Sequence, residues 1–192
     1  GTDRFNDLGP LYFGPRDAIK LALAEHGQVA NESESGHDTP GNAQPLDLAS
    51  LSVPNTTPSA GSPLAGVEAD RSFQVLASAV SGSIRIDPTT GRAETDYYSF
   101  QGRKGDVFTL EIESSQLAAL RGGASIDSVL SVVDADGNPI AYYDSQAVND
   151  DQFEPTDSAL FDLVLPSTGT FYVKITSFSR SQSDPIFDAS NP

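Results

Sequence analysis

The sequence predicts an all-β sandwich or barrel, entered by a short helix and a long acidic, proline-rich linker. Three observations carry this. From Ser72 onward, short β-type runs follow one another with turn residues between them. Two of those runs alternate apolar and polar residues with the period of a half-buried strand: Phe108, Leu110 and Ile112 against Thr109, Glu111 and Glu113, then Phe171, Val173 and Ile175 against Tyr172, Lys174 and Thr176. Regular short strands of this kind build sandwiches and barrels. Upstream, Asn31 to Pro63 is dense in Pro, Ser, Thr, Asn and Gly, including Pro40, Pro45, Pro54, Pro58 and Pro63.

Taken in chain order, Gly1 to Gly14 reads as irregular. Pro15 to His26 predicts a helix, because Pro suits the first helical position and Gly27 the stop; Ile19, Ala22, Leu23 and His26 then share one face for docking. The linker holds an acidic stretch, Glu32 to Asp38, and an extended loop broken by a short apolar run, Leu46 to Val53. Strands are expected in Phe73–Ile86, Tyr97–Phe100, Val107–Glu113, Ser128–Val133, Pro139–Asp144, Ser158–Leu165 and Thr170–Phe178. Asp134-Ala135-Asp136-Gly137-Asn138 reads as a hairpin turn and not as a calcium loop, since Ser145 stands where such a loop needs Glu and the flanks are strands. The expected organisation is residues 1–30 as an extension with a short helix, 31–178 as the sandwich with 46–70 as a loop insertion, and 179–192 as a C-terminal linker.

Composition narrows the function classes. The chain has 192 residues, 38% of them hydrophobic, and 27 Asp plus Glu against 11 Lys plus Arg, for a formal charge of −16. Such a field repels phosphate backbones and argues against nucleic acid. There is no Cys, so neither disulfides nor thiolate zinc sites are open to it. A metal held by carboxylates is the expected substitute staple. No apolar run reaches the length of a membrane span. The chain starts at Gly1 and has no Met, which we read as a piece of a larger parent protein, secreted or on the cell surface.

Several short motifs appear in a fixed order: Glu94-Thr95-Asp96-Tyr97-Tyr98-Ser99-Phe100, Lys104-Gly105-Asp106, Leu110-Glu111-Ile112, Asp127-Ser128-Val129-Leu130, the Asp134–Asn138 turn, Asn149-Asp150-Asp151, Asp157-Ser158-Ala159-Leu160 and Gly169-Thr170-Phe171-Tyr172-Val173. With the acidic opening Glu32 to Pro40 and Ala43 to Leu46, this order resembles the bacterial pre-peptidase C-terminal domain family, whose relatives include the collagen-binding domains of clostridial collagenases. The resemblance implies a jelly-roll-like antiparallel β-sandwich appended to secreted proteins, with calcium tying an acidic linker to the sandwich. Gly36 stands where the family usually carries Asn.

Candidate chemistry follows from the carboxylates. Glu32 and Glu34 are spaced so that an extended backbone points both the same way, and Glu94 and Asp96 repeat that spacing. With Asp38, these could supply a share of the roughly six to eight oxygens that Ca2+ takes. A second acidic group is Asp127, Asn149, Asp150, Asp151 and Asp157. Its bland reading is a solvated loop, with Asp127 and Asp157 bonded to their own backbone at strand starts. Catalysis has little to build on: His26 and His37 are the histidines, with no Gly-x-Ser-x-Gly and no His-Glu-x-x-His. Tyr97, Tyr143 and Tyr172 are expected to face outward. Tyr97 and Tyr172 are the candidate contacts to an extended protein or polysaccharide, although cross-strand packing is the simpler role for such rings. The expectation is a non-catalytic, calcium-binding attachment module; the alternative is a calcium-rigidified spacer or folding module.

Overall fold

The computed structural model describes Ile19, Ala22, Leu23, residues 29–33, 36–54, 72–85, Thr89, 93–114, 126–149 and 157–177. The described chain is all-β. Its strands are β1 (Val29–Asn31), β2 (Gln44–Pro45), β3 (Ala49–Pro54), β4 (Ser72–Ala77), β5 (Ala79–Ser81), β6 (Thr95–Gly102), β7 (Val107–Glu111), β8 (Ser128–Val133), β9 (Ala141–Tyr142), β10 (Ser145–Gln146), β11 (Val148–Asn149), β12 (Ala159–Val164) and β13 (Gly169–Ser177). They fall into two compact units, one of Gly1–Glu32 with Asp47–Gly82 and one of Ser33–Leu46 with Ser83–Pro192.

In the first unit, β3 and β4 pair antiparallel and β1 and β5 pair parallel. Leu51 lies opposite Val75, and Ala49 opposite Ala77. This face packs on Ala22 and Leu23, with Ile19 and Ala79 beside them. Ile19, Ala22 and Leu23 are helical, and these three of the residues predicted to share a docking face pack with the hairpin; His26 and the rest of the predicted helix lie outside the described residues. Ser50 and Ser52 of β3 are exposed, so a strand with polar outward positions runs through a stretch whose composition reads as loop.

The second unit is sandwich-like. Its larger sheet has the order β11-β8-β13-β6-β2, antiparallel except for the short parallel pair β2–β6. The other layer is the antiparallel ribbon β12–β7. Alternation on β6 sends Asp96, Tyr98, Phe100 and Gly102 into the buried face and leaves Thr95, Tyr97 and Ser99 only half-buried. The register sets Phe171 opposite Phe100 and Val173 opposite Tyr98, so β13 adds its apolar residues to the same face. Phe100 then meets Phe108 of β7 with ring centroids 4.8 Å apart, which joins the two layers.

Two further contacts lock the layers. The twin Asp-Ser-x-Leu motifs come together: Ser128 Oγ and Ser158 Oγ are 2.9 Å apart, Ser158 N donates to Ser128 Oγ at 3.2 Å, and both residues are fully buried. A buried hydroxyl without such a partner would cost about 1–3 kcal/mol. At the far end of β6, the turn Arg103–Asp106 closes with Gly105 at φ +87°, and Leu165 exchanges backbone hydrogen bonds with Gly105 and Asp106. Gly102 makes a close approach there: a Cβ would stand 2.0 Å from Cδ1 of the buried Leu165, so that side chain would have to shift to admit one.

The ribbon carries a bulge between Leu160 and Leu163, where Asp162 adopts φ +54°. The bulge takes Phe161 out of the ladder, and the Tyr142 hydroxyl repairs the loss. It donates to Phe161 O at 2.8 Å and accepts from Phe161 N at 3.2 Å.

Overpacking at Gly102 gives a direct check on the layer contact. Gly102→Ala is expected to destabilise the protein by about 1–3 kcal/mol, and Leu165→Ala alone by about 2–5 kcal/mol. The double variant should cost less than the sum, because the truncated side chain vacates the space that the new methyl needs. Urea unfolding of the four proteins measures it; strict additivity would remove the proposed contact.

Candidate functional site

The linker segment 33–46 is fixed along β6 by backbone bonds. Tyr97 N donates to His37 O at 2.7 Å, Gln44 and Pro45 pair with Tyr98 and Ser99, and Leu46 N donates to Ser99 O at 2.8 Å. Gly36 makes the approach possible, since its φ of +93° lies where only glycine is unstrained. After it comes His37, 6% exposed. The turn Pro40–Asn42 then redirects the chain: Asn42 Oδ1 accepts from Thr39 N at 2.8 Å, while Asn42 Nδ2 donates to Asp38 Oδ1 at 2.8 Å.

His37 and Asp96 form the centre of the site. Asp96 belongs to the buried face of β6 and is 4% exposed. Its Oδ1 lies 3.2 Å from His37 Nδ1. The other ring nitrogen, Nε2, is 3.1 Å from Ser33 O. The imidazole also stacks on Tyr98, centroids 5.6 Å apart at 30°. A polar pair on a core face is stable only when it is satisfied, and here the linker supplies the satisfaction.

The other carboxylates singled out in the sequence do different work. Glu94 accepts from Arg85 N at 2.7 Å through its side chain, while its own N–H donates to Arg85 O at 2.8 Å and its carbonyl accepts from Thr176 Oγ1 at 3.1 Å. Asp38 is exposed and bonded to Asn42. Glu32 belongs to the first unit, where its N–H donates to Ser81 O at 2.9 Å. Glu34 lies outside the described residues. In the second acidic group, Asp157 is buried and accepts from Ser114 N at 2.8 Å, so it serves the backbone of a neighbouring segment. Asp127 is half-buried at the entrance to β8, and Asn149 sits in β11 opposite Leu130. Asp150 and Asp151 lie outside the described residues. Asp134 accepts from Asp136 N and Asn138 N at 2.9 and 3.0 Å, the local bonding of a turn.

Among the described residues of the second unit, the linker site therefore gathers one imidazole and one carboxylate. This is not the all-oxygen shell of about six to eight donors that calcium takes, and the residues brought together do not fit that ion. Sequence reasoning missed His37 as the organising residue. The available signal was Asp96: two positions before Tyr98 on an alternating strand, an acid falls on the core face and must find a partner there.

Tyr97 and Tyr172 share the opposite face of the large sheet, with Lys174 opposite Tyr97 and Ser99 opposite Tyr172. Both rings are half-buried, and β8 on that side presents the buried Val129, Ser131 and Val133, with Val133 opposite Tyr172. This face is not an open aromatic strip. The exposed ring is Tyr143, 77% accessible, at φ +50° in the turn between β9 and β10. It packs edge-on against Tyr142, centroids 4.7 Å apart.

Burial raises the pKa of Tyr97 above its ordinary 10.0 by penalising the phenolate. The folded state thus holds this proton more tightly than the unfolded one. The associated stability is complete below pH 10.0 and is lost as pH rises through the raised value. Tyr97→Phe is expected to flatten the alkaline fall in stability, read from denaturant midpoints across pH 9 to about 12; an unchanged slope would contradict burial of the hydroxyl. The linker makes its own prediction. His37→Ala removes both ring contacts and should speed hydrogen exchange at the Tyr97 and Leu46 amides, whose bonds hold the linker along β6. Unchanged exchange would mean that the backbone pairing with β6 suffices.

No protein-family model matches the chain, and no curated protein matches it.

Proposed function

We propose that this chain is a non-catalytic attachment module of a larger exported protein, holding it on an extended protein or polysaccharide through exposed tyrosine. The observation that carries the reading is Tyr143. A bulky residue in the left-handed region costs on the order of 1–3 kcal/mol and persists only where its surroundings enforce it. Here Tyr142 braces the ring from below, and the Tyr142 hydroxyl is itself tied to both backbone groups of Phe161. The ring is thus presented to solvent at low entropic cost, with the exposed Asp144, Ser145 and Gln146 beside it. A flat aromatic ringed by hydrogen-bonding groups suits the repeating faces of a polymer. Tyr97 and Tyr172 are secondary contacts at most, on a face partly covered.

Non-catalytic character is supported by the commitment of His37. It is buried, and its two nitrogens face Asp96 and Ser33, leaving it badly placed to exchange protons with a substrate. Among the described residues no helix is long and apolar enough to cross a membrane.

Retention on insoluble collagen, chitin and cellulose tests the reading. The parent chain should be retained on at least one of them. Tyr143→Ala should weaken retention about tenfold or more, the loss of roughly 1.4 kcal/mol expected of a principal aromatic contact. Tyr97→Ala with Tyr172→Ala should weaken it less. No retention on any polymer would favour the spacer reading, which the pinned linker also suits. Full retention by Tyr143→Ala would place the contact elsewhere.

A further inference from the structure

We infer that the second unit is a mechanically labile side branch: tension carried along the chain between Ser83 and Ser177 unzips it, starting between Glu94 and Thr176, and does not load its sheet in shear. The chain path dictates this. The chain crosses into the unit at Ser33 and again at Ser83. The later entry runs to the start of β6: Glu94 N donates to Arg85 O at 2.8 Å, Arg85 N donates to Glu94 Oε1 at 2.7 Å, and Thr95 opens the strand. The exit is the end of β13, the antiparallel neighbour of β6, with Thr176 opposite Thr95. Thr176 Oγ1 donates to Glu94 O at 3.1 Å, so a side-chain bond bridges entry and exit. The earlier entry reaches the same end of the sheet, since Tyr97 N donates to His37 O on the other edge of β6. Linker, β6 and β13 lie side by side there, spanning about 10 Å at strand spacing.

Ladder geometry does the rest. In an antiparallel pair the hydrogen bonds run perpendicular to the strands. Drawing the start of β6 away from the end of β13 therefore pulls along the bonds of the outermost pair. The next pair is loaded only when that one has parted. Drawing the far end of β6 away from the end of β13 does the opposite. The force then runs along the strands and is shared by the eight residue pairs with β6, while six pairs with β8 hold β13 from its other side. That far end lies about 24 Å along β6. Beyond it the exposed Lys104 sits in the turn, its N–H bonded to Thr168 Oγ1 at 2.9 Å. A link that bears load in series needs the shear geometry, and the path of this chain supplies the other. The property concerns load and not ligand, so it stands or falls separately from attachment through Tyr143.

The chain has no Cys, so two introduced thiols define a pulling axis. The whole chain is held in an optical trap through DNA handles, once as Ser83→Cys with Ser177→Cys and once as Lys104→Cys with Ser177→Cys. Urea unfolding first checks that both keep the parent's stability, and the exposed Arg85 serves in place of Ser83 where they do not. At one loading rate, the Ser83–Ser177 axis is expected to open at less than about half the force of the Lys104–Ser177 axis, because forced unfolding follows the rate at which the loaded bonds part. Thr176→Val removes the bridging hydroxyl and keeps the shape of the side chain; it should lower the opening force on the first axis more than on the second. If that variant fails to fold, the two axes compared without it decide the matter. Equal forces, or the higher force along Ser83–Ser177, would overturn the proposal. An equal loss on both axes in Thr176→Val would overturn the assignment of the opening to Glu94 and Thr176.

Discussion

Everything in the second unit depends on β13 being paired on both sides. It runs beside β6 from Gly169–Gly102 to Thr176–Thr95, and beside β8 from Tyr172–Val133 to Ser177–Ser128. A one-residue slip on either side would turn Phe171 and Val173 out of the core and bring Tyr172 and Lys174 in. The register is therefore set by burial, and it fixes β6 in turn. Because β6 is fixed, Asp96 stands on the inner face, Gly102 meets Leu165, and the outer edge of β6 is left as the strip to which the linker pairs. The site at His37 is a consequence of this order and not an addition to it.

The same logic explains where an acidic chain puts its charge. Carboxylates are placed as acceptors for backbone N–H groups that strands cannot satisfy: Asp157 for Ser114, Glu94 for Arg85, Asp106 for Arg103, Asp134 for Asp136 and Asn138. A charged acceptor gives a stronger bond than a neutral one, which suits turns that must hold without disulfides. The charge of −16 is in part the by-product of fastening loops to strands.

Much of this was legible. Alternation in β6, β7 and β13 predicts their buried faces, and the Asp-Gly turn before Pro139 has the conformation its residues dictate. What could not be read has physical reasons. β8 is buried on both faces, so its residues carry no period by which to assign a side. β3 hides in a proline-rich stretch because Ser50 and Ser52 dilute its apolar positions, and its partner β4 begins well beyond the intervening residues. The twin Asp-Ser-x-Leu motifs are visible as a repeat, but that their serines bond to each other across layers depends on tertiary placement. Likewise the pairing of His37 with Asp96 joins residues far apart in sequence, and only the face assignment of Asp96 hinted at it.

The tyrosines show how burial separates rings that composition treats alike. Tyr98 is core, opposite Val173. Tyr97 and Tyr172 lie on the reverse face, yet buried Val133 beside Tyr172 means that face is partly covered. Tyr142 turns its ring inward to spend its hydroxyl on the bulge at Phe161. Tyr143, the next residue, stays exposed, with a left-handed backbone and its ring edge-on against Tyr142. The bulge in β12 thus has a consequence at the surface: by demanding Tyr142, it anchors the hairpin β9–β10 and keeps the neighbouring ring facing solvent. Filling that demand differently, by restoring a regular β12, would free the hairpin and remove the reason for a strained tyrosine at its tip.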